Sequence, residues 1–515
     1  MKHKTILSSC IQAFMAASMM STIVPGHEVH AEDHFSRAKT KHTEQLQNGL
    51  AYTHAVYGEK DPNAAGYMVD AAFTKTKKEA DELQNELAGK GYAASVKTVA
   101  ERAQDDPLRG TPLGYLVRTG PFQKETDAKS EQKKLVSAGY NQSKVVYIPE
   151  DGEEATGPWT VSVLEVSPEK WRGEMEPSLA NGIVPGREKL TDMAAKKKAI
   201  AGINGGYFVM GSQDGTEGDL AGVSVINGEL ISEAVKGRTS LLIGKDNTSK
   251  ISSVRTKLTV KGTKGMPAEL DGLNRDPGRI RGCGGVGDLE TSLPKHDFTC
   301  TDEDELIQYN SVFGKRAPEG PGAEAVMDST GRVVTVHKSR GADIPFGGSV
   351  VAGTGQSAAW LQEHAVIGKK LHVGKMVFAD NKPVPASKKM GIINGGPRLL
   401  KNGKVFIDAT KEGFHQPDDP EFFYRFGERR NPRTIAGIKP NGNILLVTVD
   451  GRSPGYSIGM NFDEEAHLMK SLGAVDAVNL DGGGSTGMVM NSRLVTDPSD
   501  AAGERPIGDG ILLVP

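Results

Sequence analysis

The sequence predicts an α/β chain of α+β character, with a small βαββαβ module ahead of one large mixed-sheet domain. Three observations carry this. A strand–helix–strand pattern recurs at an offset of 48 residues. Two strands end in Asn-Gly-Gly. A strand–helix–strand unit near the C-terminus has strands that both end in Asp-Gly.

The repeat lies in 64–149. Gly66-Tyr67-Met68-Val69 returns as Gly114-Tyr115-Leu116-Val117, and Gly91-Tyr92 returns as Gly139-Tyr140. In the first copy Met68–Phe73 reads as a strand. Lys77–Ala88 reads as a helix with Ala80, Leu83, Leu87 and Ala88 on one face, and Ala93–Val99 as the next strand. The second copy runs Tyr115–Thr119, Thr126–Ser137 and Lys144–Ile148. Two such units make a ferredoxin-like βαββαβ fold. Its tyrosines suit either sugar stacking or the module's own core.

The flanking segments divide the rest. Residues 1–31 read as a signal peptide: Lys2 and Lys4, an apolar run from Ile11 to Met20, then Val29-His30-Ala31 before a cleavage point. The mature protein is then expected to be secreted, associated with the cell wall, and without a membrane span. Residues 32–63 are polar and read as a spacer, 150–158 as an acidic linker, and 159–515 as one domain. A net charge of -3 argues against a nucleic-acid partner. Export would leave Cys283 and Cys300, an even pair that reads as a disulfide or as two free thiols.

In the large domain, Lys198–Ile203 leads into Asn204-Gly205-Gly206, and Met390–Ile393 into Asn394-Gly395-Gly396. An amide followed by two glycines lets backbone N–H groups approach a ligand, although each motif alone is also a turn. Thr434–Lys439 and Ile444–Asp450 read as a hairpin, Asp463–Leu472 as a helix and Ala474–Asp481 as a strand. A right-handed crossover would make the second and last of these strands parallel neighbours. Asp450 and Asp481 would then share one rim, about 5 Å apart in backbone, as an acid/base pair.

After Asp481, Gly482-Gly483-Gly484-Ser485-Thr486 could cradle an anion with its N–H groups. Arg398, Arg433, Arg452 and Arg505 lie beside these loops, and guanidinium forks suit phosphate. Glu504 is a third candidate carboxylate. No cofactor is required by the sequence, but Asp450, Asp481 and Glu504 could hold Ca2+ or Mg2+ through oxygen.

The 64–149 repeat resembles the sporulation-related repeat (SPOR) domain, which implies binding to peptidoglycan glycan strands, with Tyr67, Tyr115 and Phe122 as contacts. The ordered set 202–208, 394–398, 430–434, 449–452, 479–486 and 503–508 resembles the phosphodiester glycosidase family over about 195–515. That resemblance implies an exported hydrolase that frees a sugar from a sugar-1-phosphodiester. In a cell wall the substrate would be an α-GlcNAc-1-phosphodiester, such as a teichoic acid linkage, or an exopolysaccharide. Its motif positions are Asn204, Asn394, Arg398, Arg433, Asp450, Arg452, Asp481, Ser485, Thr486, Glu504 and Arg505. Two rival readings remain: a wall-binding protein without turnover, and a metal-dependent phosphodiesterase that breaks the P–O bond.

Overall fold

A computed structural model describes residues 34–515 except 63–65, 264, 284–293, 386 and 388. The signal-peptide reading lies outside these residues. No helix among them is long and apolar enough to cross a membrane.

An eight-stranded sheet forms the backbone of the large domain. Its order is Thr40–Gln47, Leu50–Tyr57, Trp159–Val166, Ile444–Val449, Arg433–Ile438, Asp476–Asn479, Arg398–Lys401 and Lys404–Val405. Every neighbouring pair is antiparallel. A five-stranded sheet containing Ala201–Asn204 and Asp509–Val514 packs against it. Leu164, Ala436, Leu446 and Val478 from the first sheet meet Ala201, Ile203, Ile511 and Leu513 from the second in one buried cluster. The all-buried pattern of Ile444–Val449 follows from apolar cover on both faces.

Two expectations fail here. Residues 32–63 are not simply a spacer, because Thr40–Gln47 and Leu50–Tyr57 form the edge hairpin of the main sheet. Its turn carries Asn48-Gly49, with Gly49 at φ 80. Leu50 and Tyr52 are buried on one face of the sheet, and Ala55 and Tyr57 on the other. Tyr57 pairs directly with Trp159. The module between them is therefore an insertion into one sheet, not a domain ahead of it. Secondly, Ile444–Val449 and Asp476–Asn479 run in the same direction but are not neighbours. Arg433–Ile438 lies between them, antiparallel to both. Two strand spacings put their ends about 10 Å apart rather than 5.

The module has the expected βαββαβ form. Its elements are Tyr67–Thr74, Lys77–Gly89, Ala94–Val99, Gly114–Phe122, Glu125–Ser137 and Lys144–Tyr147. Thr76 and Glu79 form a capping box on the first helix. Val69, Ala71 and Val117 face Ala80, Leu87, Ala128 and Leu135 of the helices. Tyr67, Tyr115 and Phe122 are half-buried and pack against this cluster, and Tyr67 also meets Tyr147 at 5.3 Å.

The other sheet face is covered by the rest of the protein. Val99, Leu116 and Tyr147 join a cluster with Phe423 and Tyr424, and Phe73 stacks on Tyr424 at 5.9 Å. Arg118 donates to Asp70 at 2.5 Å and to Asp151 at 2.5 Å, and Lys97 reaches Asp151 at 2.7 Å. Burial alone would raise Asp151; the Arg118 bond and charge, with Lys97, outweigh it and hold the carboxyl at about 2. Asp151 was expected in an acidic linker. That segment is instead anchored where the module meets the large domain.

Cys283 and Cys300 are joined as a disulfide, with Cα atoms 5.9 Å apart. It closes a 17-residue separation and brackets His296, which stands edge-on to Tyr207 at 4.3 Å.

Candidate active site

The site forms where strand ends of the two packed sheets converge. Ala201–Asn204 runs into Gly205-Gly206, Asp509 opens the strand beside it, and Asp476–Asn479 runs into Asp481. The Gly205-Gly206 segment lies between the two aspartates. Asp481 N–H donates to the Gly205 carbonyl at 3.2 Å, and Gly205 N–H donates to the Asp509 carbonyl at 3.0 Å. Gly206 N–H donates to Asp509 Oδ1 at 2.8 Å. A Cβ on Gly205 would collide with the Asp509 carboxyl, so only glycine permits this approach.

Burial dominates the electrostatics of both carboxyls. Burial pushes Asp481 up to about 7, against the pull of the Ser485 hydroxyl, the Arg505 charge and the Gly482 N–H. Burial also lifts Asp509 to about 7, opposed by Gly206 N–H and reinforced by the charge of Asp481. Asp509 is 1% exposed, and its Oδ2 is buried with no partner. A carboxyl that titrates near neutrality can both take and give a proton at physiological pH. Asp509 was not singled out in the sequence. Its only local signal is Gly508-Asp509-Gly510 opening the final strand, and strand pairing rather than spacing brings it to Asp481.

Cations line the glycine loop. Arg505 pairs with Asp500 at 2.7 Å and stands 3.5 Å from Ser485 Oγ. Arg452 donates to Asn431 Oδ1 at 2.9 Å, and its Nη2 would lie 3.3 Å from a Cβ on Gly483. Gly484 packs directly under the Arg505 guanidinium. The loop's N–H groups, however, do not form an open nest. Gly483 donates to Pro432 O, Ser485 to Gly482 O and Thr486 to Gly483 O, closing a short 3-10 turn. What remains for an anion is the two guanidinium groups and the Ser485 hydroxyl. Thr486 Oγ1 is buried without a partner.

Other sequence candidates are engaged elsewhere. Asn204 spends its amide on Asp481 O, Thr434 Oγ1 and Gly487 N. Asn394 Oδ1 accepts from Tyr207 N at 2.8 Å, tying one Asn-Gly-Gly loop to the other. Gly206 packs on Asn394, Gly395 on Asn479 and Leu480, and Gly396 on Phe414 and Glu412. These glycines allow the loops to pack rather than to face a ligand. Arg398 bonds Leu400 O at 3.0 Å and Asp476 at 2.5 Å, at the far end of its strand pair. Arg433 is buried, with Nε on Met460 O and Nη2 on Phe426 O, both at 2.7 Å, and pairs with Glu465 at 2.9 Å. Glu504 accepts from Thr191 N–H and Oγ1 at 2.9 and 2.7 Å, at the N-terminus of helix Leu190–Lys197. Asp450 is raised by burial to about 7, but its partners are Tyr456 and the N–H of Asp497. Strand pairing thus sets Asp509, rather than Asp450 or Glu504, across the Gly205-Gly206 backbone from Asp481. Among the described residues, no three His, Cys, Asp or Glu side chains group as metal ligands.

Comparisons with known proteins bear on both domains. The phosphodiester glycosidase family model matches residues 322–514, and the SPOR domain model matches 63–147. N-acetylglucosamine-1-phosphodiester alpha-N-acetylglucosaminidase of Bos taurus is 32% identical over 110 residues, which is 21% of this chain and 20% of that protein. The human enzyme of that name is 30% identical over 110 residues, 21% of each. The chain thus spans about a fifth of the length of the curated relatives it matches. A solved structure of a Burkholderia pseudomallei protein, assigned as exported, superposes with a TM-score of 0.85 at 31% identity. That match covers 92% of this chain and 96% of the other. The chain thus carries a phosphodiester glycosidase domain, with a SPOR domain inserted between two neighbouring strands of its main sheet.

Proposed function

We propose that the protein is an exported hydrolase that cleaves a glycosyl-1-phosphodiester while held at peptidoglycan. The observation that carries this is that Asp481 and Asp509 are both raised to about 7, with Arg452 and Arg505 against the glycine loop that follows Asp481. Water adds to the anomeric carbon and gives up a proton to the carboxylate pair. The C1–O bond breaks and its electrons go to the phosphate oxygen, leaving a free sugar and a phosphomonoester. A phosphomonoester has a second pKa of about 6, so it leaves with little need for a proton. The demanding step is activation of water, which suits carboxyls poised near neutrality. Arg452 and Arg505 offset the phosphate charge as it develops.

The relatives' names support a GlcNAc-1-phosphodiester as the bond cleaved. The SPOR match supports a wall location, where teichoic acid linkages and exopolysaccharides carry such bonds. With the open sheet face of the module already covered, glycan contact falls to its helical side and edges. The test is product identity on a synthetic GlcNAc-1-phosphodiester. Free GlcNAc plus a phosphomonoester supports the reading. GlcNAc-1-phosphate would place the break at P–O and overturn it.

A further inference from the structure

Behind the Asn-Gly-Gly loops lies a buried cation that the mechanism above does not use. Arg238 opens the strand Thr239–Ile243 and is 4% exposed. Its Nε donates to Glu412 O at 2.9 Å, but Nη1 and Nη2 are buried with no hydrogen-bond partner. The guanidinium lies over the Phe414 ring at 5.1 Å. His296 packs on the same ring at 4.6 Å, and its Nδ1 is also buried and unpartnered. Burial, followed by the charges of Arg238 and Arg281, holds His296 well below its usual range, so the ring is neutral and keeps one N–H to donate.

Glu412 acts on Arg238 by its charge and by a backbone carbonyl, but its carboxyl bonds Thr239 and the Arg398 N–H and makes no hydrogen bond to the guanidinium. Burial lowers Arg238 to about 10, so it stays charged at neutral pH, and a buried guanidinium with no hydrogen-bonded counter-ion costs several kcal/mol. Such a group is a prepared receptor for an anion.

A cavity adjoins this position. A cavity of about 320 Å³ is lined by Leu220, Gly222, Lys236, Arg281 and Gly282. A Cβ on Gly282 would stand 3.1 Å from Arg238 Nη1, so at this wall only a glycine separates cavity and guanidinium. Four acids border the same space, against Lys236, Arg255, Arg275 and Arg281. Burial raises Asp219 well above the carboxylate range and Asp271 to about 7, Glu233 is paired with Arg275 at 2.6 Å, and Glu269 is exposed. Tyr207 links the two regions: it stands 4.3 Å from His296, and it feels the charge of Asp481.

We propose that Arg238 and His296 form an oxyanion subsite that takes a phosphate group, one layer behind Asp481. Nη1 and Nη2 supply a two-pronged donor and His296 a neutral third donor, over an aromatic floor. Two sources share this chemistry: the phosphate of the substrate, a role that rests on the proposed function, or a separate phosphate.

The experiment is thermal unfolding of the full chain against inorganic phosphate, for wild type, Arg238→Met and Arg238→Gln. The wild type should show a saturable rise in Tm. Both variants should lose that response, with affinity at least about tenfold weaker. Without phosphate, Arg238→Met should unfold no lower than wild type, because a methionine fills the space over Phe414 without an unpaired charge. Kinetics on the diester separate the sources. A KM raised in Arg238→Met assigns the subsite to the substrate phosphate, and an unchanged KM with a lost phosphate response assigns it to a separate phosphate. Because phosphate binding is read without turnover, failure of the proposed activity would not be mistaken for failure of the subsite. An undiminished phosphate response in both variants, or failure of both to fold, would overturn the proposal.

Discussion

Asn204 holds Asp481 by its backbone: Nδ2 donates to the Asp481 carbonyl at 2.6 Å, while Oδ1 accepts from Thr434 and Gly487. The amide is therefore a clamp that joins three strand ends. Asn204→Ala should leave buried partners unsatisfied, at about 1–3 kcal/mol of stability. It should lower kcat more than it raises KM, because it shifts the reacting carboxyl rather than a substrate contact. Denaturant unfolding and steady-state kinetics check this. A pure KM effect would make Asn204 a ligand-binding residue instead.

Asp509 gives a pH signature. It titrates at about 7 in the folded protein and near 3.9 in an unfolded chain. Between these values the folded state holds a proton that the unfolded state has released, so stability falls as pH rises from about 4 to 7. Asp509→Asn removes this loss. The variant should be more stable than wild type at pH 8, by up to about 4 kcal/mol, with the gain vanishing at pH 4. Unfolding at the two pH values decides it. A gain that does not depend on pH would show that Asp509 is not held protonated.

The module's docking depends on Arg118. It bridges Asp70 and Asp151 at 2.5 Å each, in a buried cluster. Arg118→Leu would leave Asp70 buried without its cation and Asp151 with Lys97 alone, at a cost of about 3–5 kcal/mol. It should also open the 150–158 segment to limited proteolysis while the large domain stays resistant. An unchanged digestion pattern would show that apolar packing around Tyr424 alone seats the module.

The disulfide supports the site through His296. Reduction, or Cys300→Ser, should cost about 3 kcal/mol of stability. Turnover should slow as well, because the bridged segment sets His296 against Tyr207. Thermal unfolding and initial rates with and without dithiothreitol measure both effects. Unaltered turnover after reduction would separate this segment from catalysis.

Local pattern carried much of this structure. The helix expected over Lys77–Ala88 is Lys77–Gly89, and the one expected over Asp463–Leu472 is Phe462–Ser471, because apolar spacing and caps are short-range signals. Pairing between distant segments was not legible. Nothing local says that Tyr57 will lie beside Trp159, or that Arg433–Ile438 will separate the strands ending near Asp450 and Asp481. The polar edge strand Thr40–Gln47 carries no apolar period, although Asn48-Gly49 and the alternation from Leu50 to Tyr57 marked a hairpin. The site was found in part for the same reason. The Asp-Gly-Gly-Gly and Glu-Arg motifs led to Asp481, Ser485 and Arg505, whereas Asp509 depends on strand register. Both Asn-Gly-Gly motifs were visible, but the sequence did not distinguish loops that grip each other from loops that grip a ligand.

The central claim is that Asp481 acts on the sugar. The most direct measurement is the initial rate of GlcNAc release from a synthetic GlcNAc-1-phosphodiester by folded Asp481→Asn beside wild type. Loss of a reacting carboxylate should lower kcat by about 100-fold or more, with Tm at neutral pH unchanged or raised. Turnover within a few-fold of wild type would contradict the account and move the chemistry away from this pair.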